Sequence, residues 1–301
     1  MKAKPILLLI ALVSLVSCQT MESATSIATT IGQSAGVVSS SQAESIQKTA
    51  RAVSRSAEEF TPEQEYYIGR SVGAVVLSKY PAYGDGKVNQ YLNIIGQMLA
   101  QASDLPGIFG GYHFLVLNSN EINAFATPSG LVFVTRGLLR CCKNEDALAA
   151  VLAHEISHIE LRHGMQAIKK ARITEALTTI AAEGAKTFGS KEVAALTETF
   201  GGTITDITNT MIEKGYSRSS EYEADLKAVK LLRRVGYDPN GLVEMLTAMK
   251  KNLKAGGLDF AKTHPSPENR IEEIQKDGLK YATVKAPTTR KQRFQQMLGK
   301  I

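Results

Sequence analysis

The stretch from Ala153 to His158 constrains this chain more than any other, because it carries the pattern His-Glu-x-x-His within a helix-forming sequence. On a helix, His154 and His158 would lie about 40° apart around the axis and about 6 Å apart along it. Two imidazoles placed in this way can bind one metal ion together. The same five letters also occur by chance in ordinary helices, so their meaning depends on what the rest of the chain supplies.

The residues around the motif predict where its helix begins, ends and packs. Asn144 is a suitable N-cap, and the acidic residues after it would complement the helix dipole. His163-Gly164 predicts the end of the helix, with glycine in the C′ position. The predicted core face is an apolar stripe at helical spacing, formed by Leu148, Val151, Leu152, Ile156 and Ile159.

Glu155 lies between the two histidines, where it could act as a general base. A bound zinc ion lowers the pKa of a water, and a neighbouring carboxylate can then take up the proton. Such a zinc also needs a third protein ligand and an open position. His163 follows His158 by five residues, whereas the metzincin pattern requires six. We therefore expect His163 to be an ordinary histidine at the helix C-terminus.

A second helix, predicted from about Arg218 to Arg234, places two carboxylates on its apolar stripe. These are Glu221 and Asp225, and a buried carboxylate needs a partner to stay ionised. The partner is either a structural arginine, such as Arg218 or Arg270, or a metal ion. In the second case Glu221 would be a ligand, and Asp225 would hold a ligating imidazole.

Helices dominate the remaining pattern, which predicts an α+β fold with a small sheet. Strands are expected at Tyr112–Leu117 and Leu131–Thr135, with a short extended segment at Asn123–Thr127 between them. The glycine-interrupted stretch Met165–Lys214 is helix-forming. It could be a mobile cover over a site or passive packing, and the sequence leaves both open.

The N-terminus predicts export. A basic start and the apolar run Ile6–Val16 are typical of a signal peptide and too short for a membrane-spanning helix. The run ends in Leu15-Val16-Ser17-Cys18, a pattern typical of lipoproteins, in which Cys18 would carry the lipid. The alternative is an ordinary signal peptide with an accidental cysteine. Gln19 follows, and by resemblance to bacterial lipoproteins the absence of Asp there favours the outer membrane.

The chain is expected to divide into four parts. Residues 1–17 form the lipoprotein signal peptide, and residues 18–58 a tether with an N-terminal helix. Residues 59–285 form the main domain, and residues 286–301 a frayed basic tail.

Composition and cysteine content exclude little but add two expectations. The net charge is +6, yet no dense basic block with interleaved aromatic residues is present, so we expect no nucleic-acid partner. Cys141 and Cys142 are adjacent in a chain predicted to be exported. Because a disulfide between neighbours requires a strained ring, two buried or separately oxidised thiols are the favoured interpretation.

Several motifs together resemble one family. His154-Glu155-x-x-His158 with Glu221-x-x-x-Asp225 resembles the gluzincin metallopeptidases, and in particular the family of the CAAX-prenyl proteases and the heat-shock protease HtpX. The resemblance covers roughly Thr61 to Glu272 and includes two further motifs, Asn123-Ala124-Phe125-Ala126-x-Pro128 and His264-Pro265 with Arg270. The lipoprotein pattern resembles the periplasmic branch of that family. Ser129 departs from it, since a glycine is usual there.

The resemblance implies a mainly helical zincin-type metalloprotease domain with one Zn²⁺ per chain. His154, His158 and Glu221 would bind the zinc, Glu155 would be the general base, and Asp225 would orient a ligating histidine. Asn123, Ala124, Phe125 and Ala126 would form an edge strand beside the active-site cleft, where a substrate could add as another strand; a plain structural strand is the equal alternative. Three roles are open for His264. It could be an ordinary loop histidine, a fourth ligand that caps the zinc, or a group that stabilises the oxyanion formed during hydrolysis.

The resemblance predicts a lipid-anchored zinc endopeptidase on the periplasmic face of the outer membrane. Its partners would be unfolded or misassembled envelope proteins as substrates, the membrane through the lipid anchor, and outer-membrane assembly machinery. The alternative is a chaperone-like assembly factor whose zinc site is held closed by His264.

Overall fold

The computed structural model describes residues 18–36, 38–57, 60–171, 215–252, 264–276 and 281–301. They belong to two units, one made of Met1–Glu59 with Ile168–Thr203, and the other of Phe60–Ala167 with Ile204–Ile301. The predicted signal peptide lies outside the described residues, as does most of the stretch Met165–Lys214. Both interpretations therefore stay predictions.

In the first unit, the described residues before Glu59 include two helices, α1 (Cys18–Ser34) and α2 (Ser40–Ala57). The sequence predicted one helix preceded by a tether, but the segment after Cys18 is helical. Its hydroxyl side chains bond back along the helix instead of breaking it. Thr30 Oγ1, for example, donates to the carbonyl of Ser26 at 2.8 Å.

The second unit contains a small sheet among helices. Its strands are β1 (His113–Leu117), β2 (Ala124–Ala126) and β3 (Leu131–Thr135). Its helices are α3 (Pro62–Lys79), α4 (Gly86–Ala102), α5 (Arg136–Cys141), α6 (Glu145–Glu160), α7 (Arg218–Arg234), α8 (Gly241–Asn252), α9 (Pro267–Lys276) and α10 (Thr288–Leu298). Among the described helices, none combines the length and the apolar character that crossing a membrane requires.

Local capping explains where several helices begin. Thr61 and Gln64 form a capping box at the start of α3. Asn144 accepts a hydrogen bond from the backbone of Ala147 at the start of α6. Ser217 does the same for Ser220 at the start of α7. These caps orient the two helices that carry the motif residues.

The sheet has the strand order β1-β3-β2, with β3 parallel to β1 and antiparallel to β2. The short strand β2 therefore lies at an edge of this sheet. With helices dominating around it, the α+β class predicted from the sequence is confirmed.

Helix α6 is the centre of this unit and not an amphipathic surface helix. The predicted stripe is buried, but so is every other residue from Glu145 to Ile159. Small side chains on its remaining faces, such as Ala149 and Ala153, allow neighbours to pack closely around it. The helix contacts α4, α7, α8 and the sheet. Its motif side chains are consequently surrounded by protein.

The predicted end of α6 was wrong. The helix ends at Glu160 with Leu161 as C-cap, and Arg162 follows with a φ of 55°. Gly164 already lies in the next helical segment, residues 163–171. A Cβ at Gly164 would lie 3.0 Å from Pro128, so the glycine there permits a close approach of two segments.

The expectation of a frayed C-terminal tail was also wrong, because α10 packs on the second unit. Phe294 and Leu298 are buried in its core. Arg290 and Arg293 form ion pairs with Asp146 and Glu145 at the start of α6. The basic residues of the tail thus have acidic partners that lie far away in sequence.

Candidate metal centre

Helix α6 directs the two motif histidines to the same point. His154 and His158 are buried, and their Nε2 atoms lie 3.0 Å apart. The rings meet nearly perpendicular to each other, with an interplanar angle of 88°. The predicted spacing therefore produces two imidazole nitrogens that converge in the interior of the protein.

Helix α7 brings a carboxylate to the same point. Glu221 Oε2 lies 3.5 Å from His154 Nε2, and Glu221 Oε1 lies 3.4 Å from His158 Nε2. Glu221 is fully buried, yet among the described residues neither of its carboxylate oxygens has a hydrogen-bond partner. The nearest arginine, Arg270, has its Nη1 3.8 Å from Glu221 Oε2, beyond hydrogen-bond distance. A buried carboxylate without hydrogen bonds favours a cation placed directly against it.

His264 completes a group of four. Its Nε2 lies 3.6 Å from Glu221 Oε2, and the donor atoms of His154, His158, Glu221 and His264 all lie within 4.8 Å of one another. Burial lowers the pKa of His264 to about 4, so its imidazole is neutral and can serve as a ligand. Imidazole nitrogens with one carboxylate are a donor set typical of zinc. The residues present therefore fit the Zn²⁺ that the sequence predicted.

Asp225, one turn after Glu221, has different neighbours. Its Oδ1 lies 3.0 Å from His154 Nδ1, on the opposite side of the ring from the metal-facing nitrogen. Arg270, which is also fully buried, donates from Nε to Asp225 Oδ2 at 2.8 Å. The two alternatives left open by the sequence thus apply to different carboxylates. Asp225 accepts hydrogen bonds from Arg270, whereas Glu221 lies farther from that arginine, with Oε2 3.8 Å from Nη1, and closer to the histidines.

The charges around His154 oppose one another. Burial and the nearby Arg270 lower the pKa of His154, but the carboxylates of Asp225 and Glu221 outweigh them and raise it to about 9. The site without metal therefore favours a proton on this ring. A metal ion would replace that proton as the positive charge between the carboxylates.

Glu155 is buried beside the same group. Burial is the main reason that its pKa rises to about 7, and the charge of Glu221 raises it further against the opposing effects of His154 and Arg270. A carboxylate with a pKa near neutrality can both accept and release a proton under ordinary conditions. The predicted base therefore lies in the interior next to the residues that would hold the metal; its catalytic role stays a prediction.

Three residues contact or lie close to His158 that the sequence did not predict to belong to the site. His163 is buried, and its Nδ1 lies 2.8 Å from His158 Nδ1. Glu223 is exposed, and its Oε2 lies 3.4 Å from His163 Nε2. The ring of Tyr216 lies 4.5 Å from that of His158, centroid to centroid. The only sequence signal for this cluster was a third histidine shortly after the motif.

The predicted edge strand lies close to this cluster. The hydroxyl of Tyr216 is 3.4 Å from the carbonyl oxygen of Ala126 in β2. Asn123 accepts a hydrogen bond from the backbone of Ala124, and Phe125 packs against Tyr80. Ala124 and Ala126 are only 4% and 8% exposed, whereas Phe125 between them is partly exposed. The role of the strand in binding a substrate stays a prediction.

Ser129 shows how the chain accommodates its departure from the family pattern. The residue is buried in the turn after β2, and its backbone and side chain press against Gly69 of α3. A Cβ on Gly69 would lie 2.1 Å from Ser129 Oγ, so a glycine is required on the helix side.

Lipid attachment at Cys18, the first residue of α1, stays a prediction.

The family to which this chain is similar is consistent with a metal site in this position. A model of peptidase family M48 matches residues 87–277, which is more than half of the 301-residue chain. The match begins later than Thr61, where the resemblance was expected to start, and it includes all four residues of the metal group.

Two relatives illustrate the similarity to known proteases. The chain is 30% identical over 217 residues to the beta-barrel assembly-enhancing protease of Escherichia coli (strain K12), covering 70% of this chain and 42% of the relative. It is 35% identical over 177 residues to the mitochondrial metalloendopeptidase OMA1 of Schizosaccharomyces pombe, covering 58% of this chain and 48% of the relative. The chain thus spans less than half the length of these relatives. The resemblance to the gluzincin metallopeptidases is confirmed, and the chain belongs to peptidase family M48.

Proposed function

We propose that this chain is a zinc-dependent endopeptidase that hydrolyses peptide bonds of unfolded or misassembled cell-envelope proteins. The observation that carries the proposal is the convergence of three imidazoles on a buried carboxylate, Glu221, whose oxygens have no hydrogen-bond partner among the described residues. Membership of a peptidase family supports the same reaction.

The residues divide into two tasks. His154, His158 and Glu221 would hold the zinc, and Asp225 would orient His154 through its Nδ1. When bound, zinc lowers the pKa of a water and polarises the carbonyl of the scissile peptide bond. Glu155 would accept a proton from the attacking water and pass it to the leaving amine nitrogen.

The substrate class and the location of the protein are supported by observations outside the metal group. One relative is named a beta-barrel assembly-enhancing protease, which favours envelope proteins as substrates and outer-membrane assembly machinery as a partner. Strand β2, at the sheet edge beside Tyr216, would receive an extended substrate once that edge opens. The lipoprotein pattern at Cys18 supports attachment to the periplasmic face of the outer membrane.

The substitution Glu155→Gln tests the reaction. The amide cannot accept the proton, so cleavage of an unfolded fluorescent protein should fall by a factor of about 10² to 10⁴. Zinc content should stay at one ion per chain, because Glu155 is not among the four metal-binding residues. Full activity in the purified variant would contradict the proposal.

A second candidate function is favoured by the position of His264. With four protein ligands a tetrahedral zinc has no place for water, and the protein would act as a chaperone-like assembly factor. His264→Ala separates the two, since it removes the fourth donor and leaves the other three. We expect cleavage of the unfolded substrate to rise, as in an enzyme whose resting site is capped. An inactive wild type together with an equally inactive variant would favour the assembly factor.

A further inference from the structure

His163 has surroundings that its place in the sequence does not explain. It follows the motif helix by three residues, yet it is only 2% exposed. One ring nitrogen, Nδ1, lies 2.8 Å from His158 Nδ1, and the other, Nε2, lies 3.4 Å from Glu223 Oε2. The imidazole therefore connects a residue of the metal group to an exposed carboxylate.

The backbone is held in an unusual conformation to place this ring. Arg162 has a φ of 55° and is the only non-glycine residue with a positive φ in the described part of the chain. This conformation is unfavourable for a residue with a Cβ, and such residues concentrate at functional positions. The left-handed residue lies in the two-residue turn that interrupts the helix after Glu160, and the next side chain, His163, contacts His158.

The protons in this chain of contacts can be assigned in one consistent way. His158 Nε2 points at Glu221 and His154, so it must be unprotonated to bind a metal. The proton of His158 is then on Nδ1, which donates to Nδ1 of His163. Because that nitrogen accepts, His163 carries its own proton on Nε2 and donates it to Glu223.

His154 offers a comparison within the same site. Its Nδ1 lies 3.0 Å from Asp225, a carboxylate at the position where ligating histidines commonly have one. The corresponding position at His158 is occupied by a second histidine. Each imidazole of the motif thus has its own partner on the side away from the metal.

We propose that His163 is a positioning residue that holds His158 in the tautomer and orientation that present Nε2 to the metal, with Glu223 orienting His163 in turn. This inference rests on the proposed zinc site. It assigns a function to a histidine that was expected to be an ordinary helix-terminal residue, and it accounts for the left-handed Arg162.

The test compares two substitutions of His163 in the full chain. His163→Leu removes the acceptor nitrogen Nδ1 and replaces the imidazole with an apolar side chain of similar size. It should weaken zinc binding by about 10- to 100-fold. His163→Asn retains an acceptor oxygen near the position of Nδ1, and should restore most of the affinity. Competition with a chromophoric chelator measures zinc affinity. The visible absorption of the Co²⁺-substituted protein reports whether the ligand geometry has changed.

Controls separate this inference from the proposed function. His113→Leu changes an exposed histidine in β1 and should leave zinc affinity unaltered. A wild type that binds no zinc would contradict the proposed function. A wild type that binds zinc no more tightly than His163→Leu would contradict the role of His163 alone.

Glu223→Ala keeps the test decisive if His163→Leu does not fold. The Glu223 side chain is 63% exposed, so its removal should leave the fold intact. We expect Glu223→Ala to lose less zinc affinity than His163→Leu. Combining Glu223→Ala with His163→Asn should cause no further loss beyond that of His163→Asn, because the asparagine amide does not reach Glu223. Unchanged affinity in Glu223→Ala would overturn the inference.

Discussion

At the scale of residues, the site depends on two carboxylates that look alike in sequence. Glu221 and Asp225 lie one turn apart on α7, and both are buried. Asp225 has an arginine and an imidazole as partners, whereas Glu221 faces imidazole nitrogens at 3.4 to 3.6 Å. Their neighbours therefore suit one to orient a ligand and the other to be a ligand.

The Asp225–Arg270 pair yields a prediction about stability. Arg270→Met removes the two hydrogen bonds and the positive charge that Arg270 gives to the buried carboxylate of Asp225, which then has His154 as its remaining partner. The substitution should lower the free energy of unfolding by about 3 kcal/mol. Urea denaturation in the presence of a metal chelator measures this effect. Arg218→Met, at an exposed position of α7, the helix that carries Asp225, should change the free energy of unfolding by less than about 0.5 kcal/mol. Similar small effects in both variants would show that the pair is not structural.

At the scale of elements, the start of α6 is held by the C-terminal helix α10. Glu145 is buried and accepts hydrogen bonds from Tyr91 at 2.6 Å, from Tyr237 at 2.7 Å and from Arg293. Burial raises the pKa of Glu145, but these donors outweigh it and lower the pKa below 4.5. The helix that carries the metal-binding motif is thus anchored at its first turn by the end of the chain.

This anchor predicts how stability depends on pH. Because the pKa of Glu145 is lower in the folded state, its stabilisation is present above about pH 4.5 and is lost as the pH falls through the folded value. Glu145→Gln cannot ionise, so its free energy of unfolding should decline less steeply with acidification than that of the wild type. Urea denaturation at a series of pH values measures this slope. Glu272→Gln, exposed on α9, should keep the wild-type slope; an equally steep decline in Glu145→Gln would contradict the prediction.

At the scale of the whole molecule, the donor groups come from three distant parts of the chain. α6 supplies two histidines, α7 supplies Glu221, and the segment before α9 supplies His264. A metal ion that binds only the folded arrangement must therefore stabilise it.

Metal removal should thus lower stability. With free zinc at 100 times its dissociation constant, the gain over the metal-free protein is about 2.7 kcal/mol. The measurement is urea denaturation with zinc and with chelator. Glu221→Gln should reduce the difference at the same zinc concentration, because one charged ligand is lost, whereas Glu272→Gln should preserve it. An undiminished difference in Glu221→Gln would contradict the assignment of this ligand.

What could be predicted from the sequence follows the range of the interactions involved. Helix starts at Thr61, Asn144 and Ser217 were predictable, because a cap and the backbone it bonds lie within three residues. The pairing of His154 with His158 was equally local. The end of α6 was not predictable, because the left-handed residue is an arginine and not the glycine that such a position favours.

The sequence by itself indicated that His154, His158 and Glu221 are suited to bind a metal and that they lie on two helices, since helical spacing and side-chain chemistry are local properties. Only the tertiary structure decided their partners. It placed Arg270 on Asp225, 45 residues away, and Arg293 on Glu145, 148 residues away. It also turned His163 back onto His158, beside Glu223 from another helix. These contacts depend on how distant segments pack around α6, and no pattern of neighbouring residues encodes that packing.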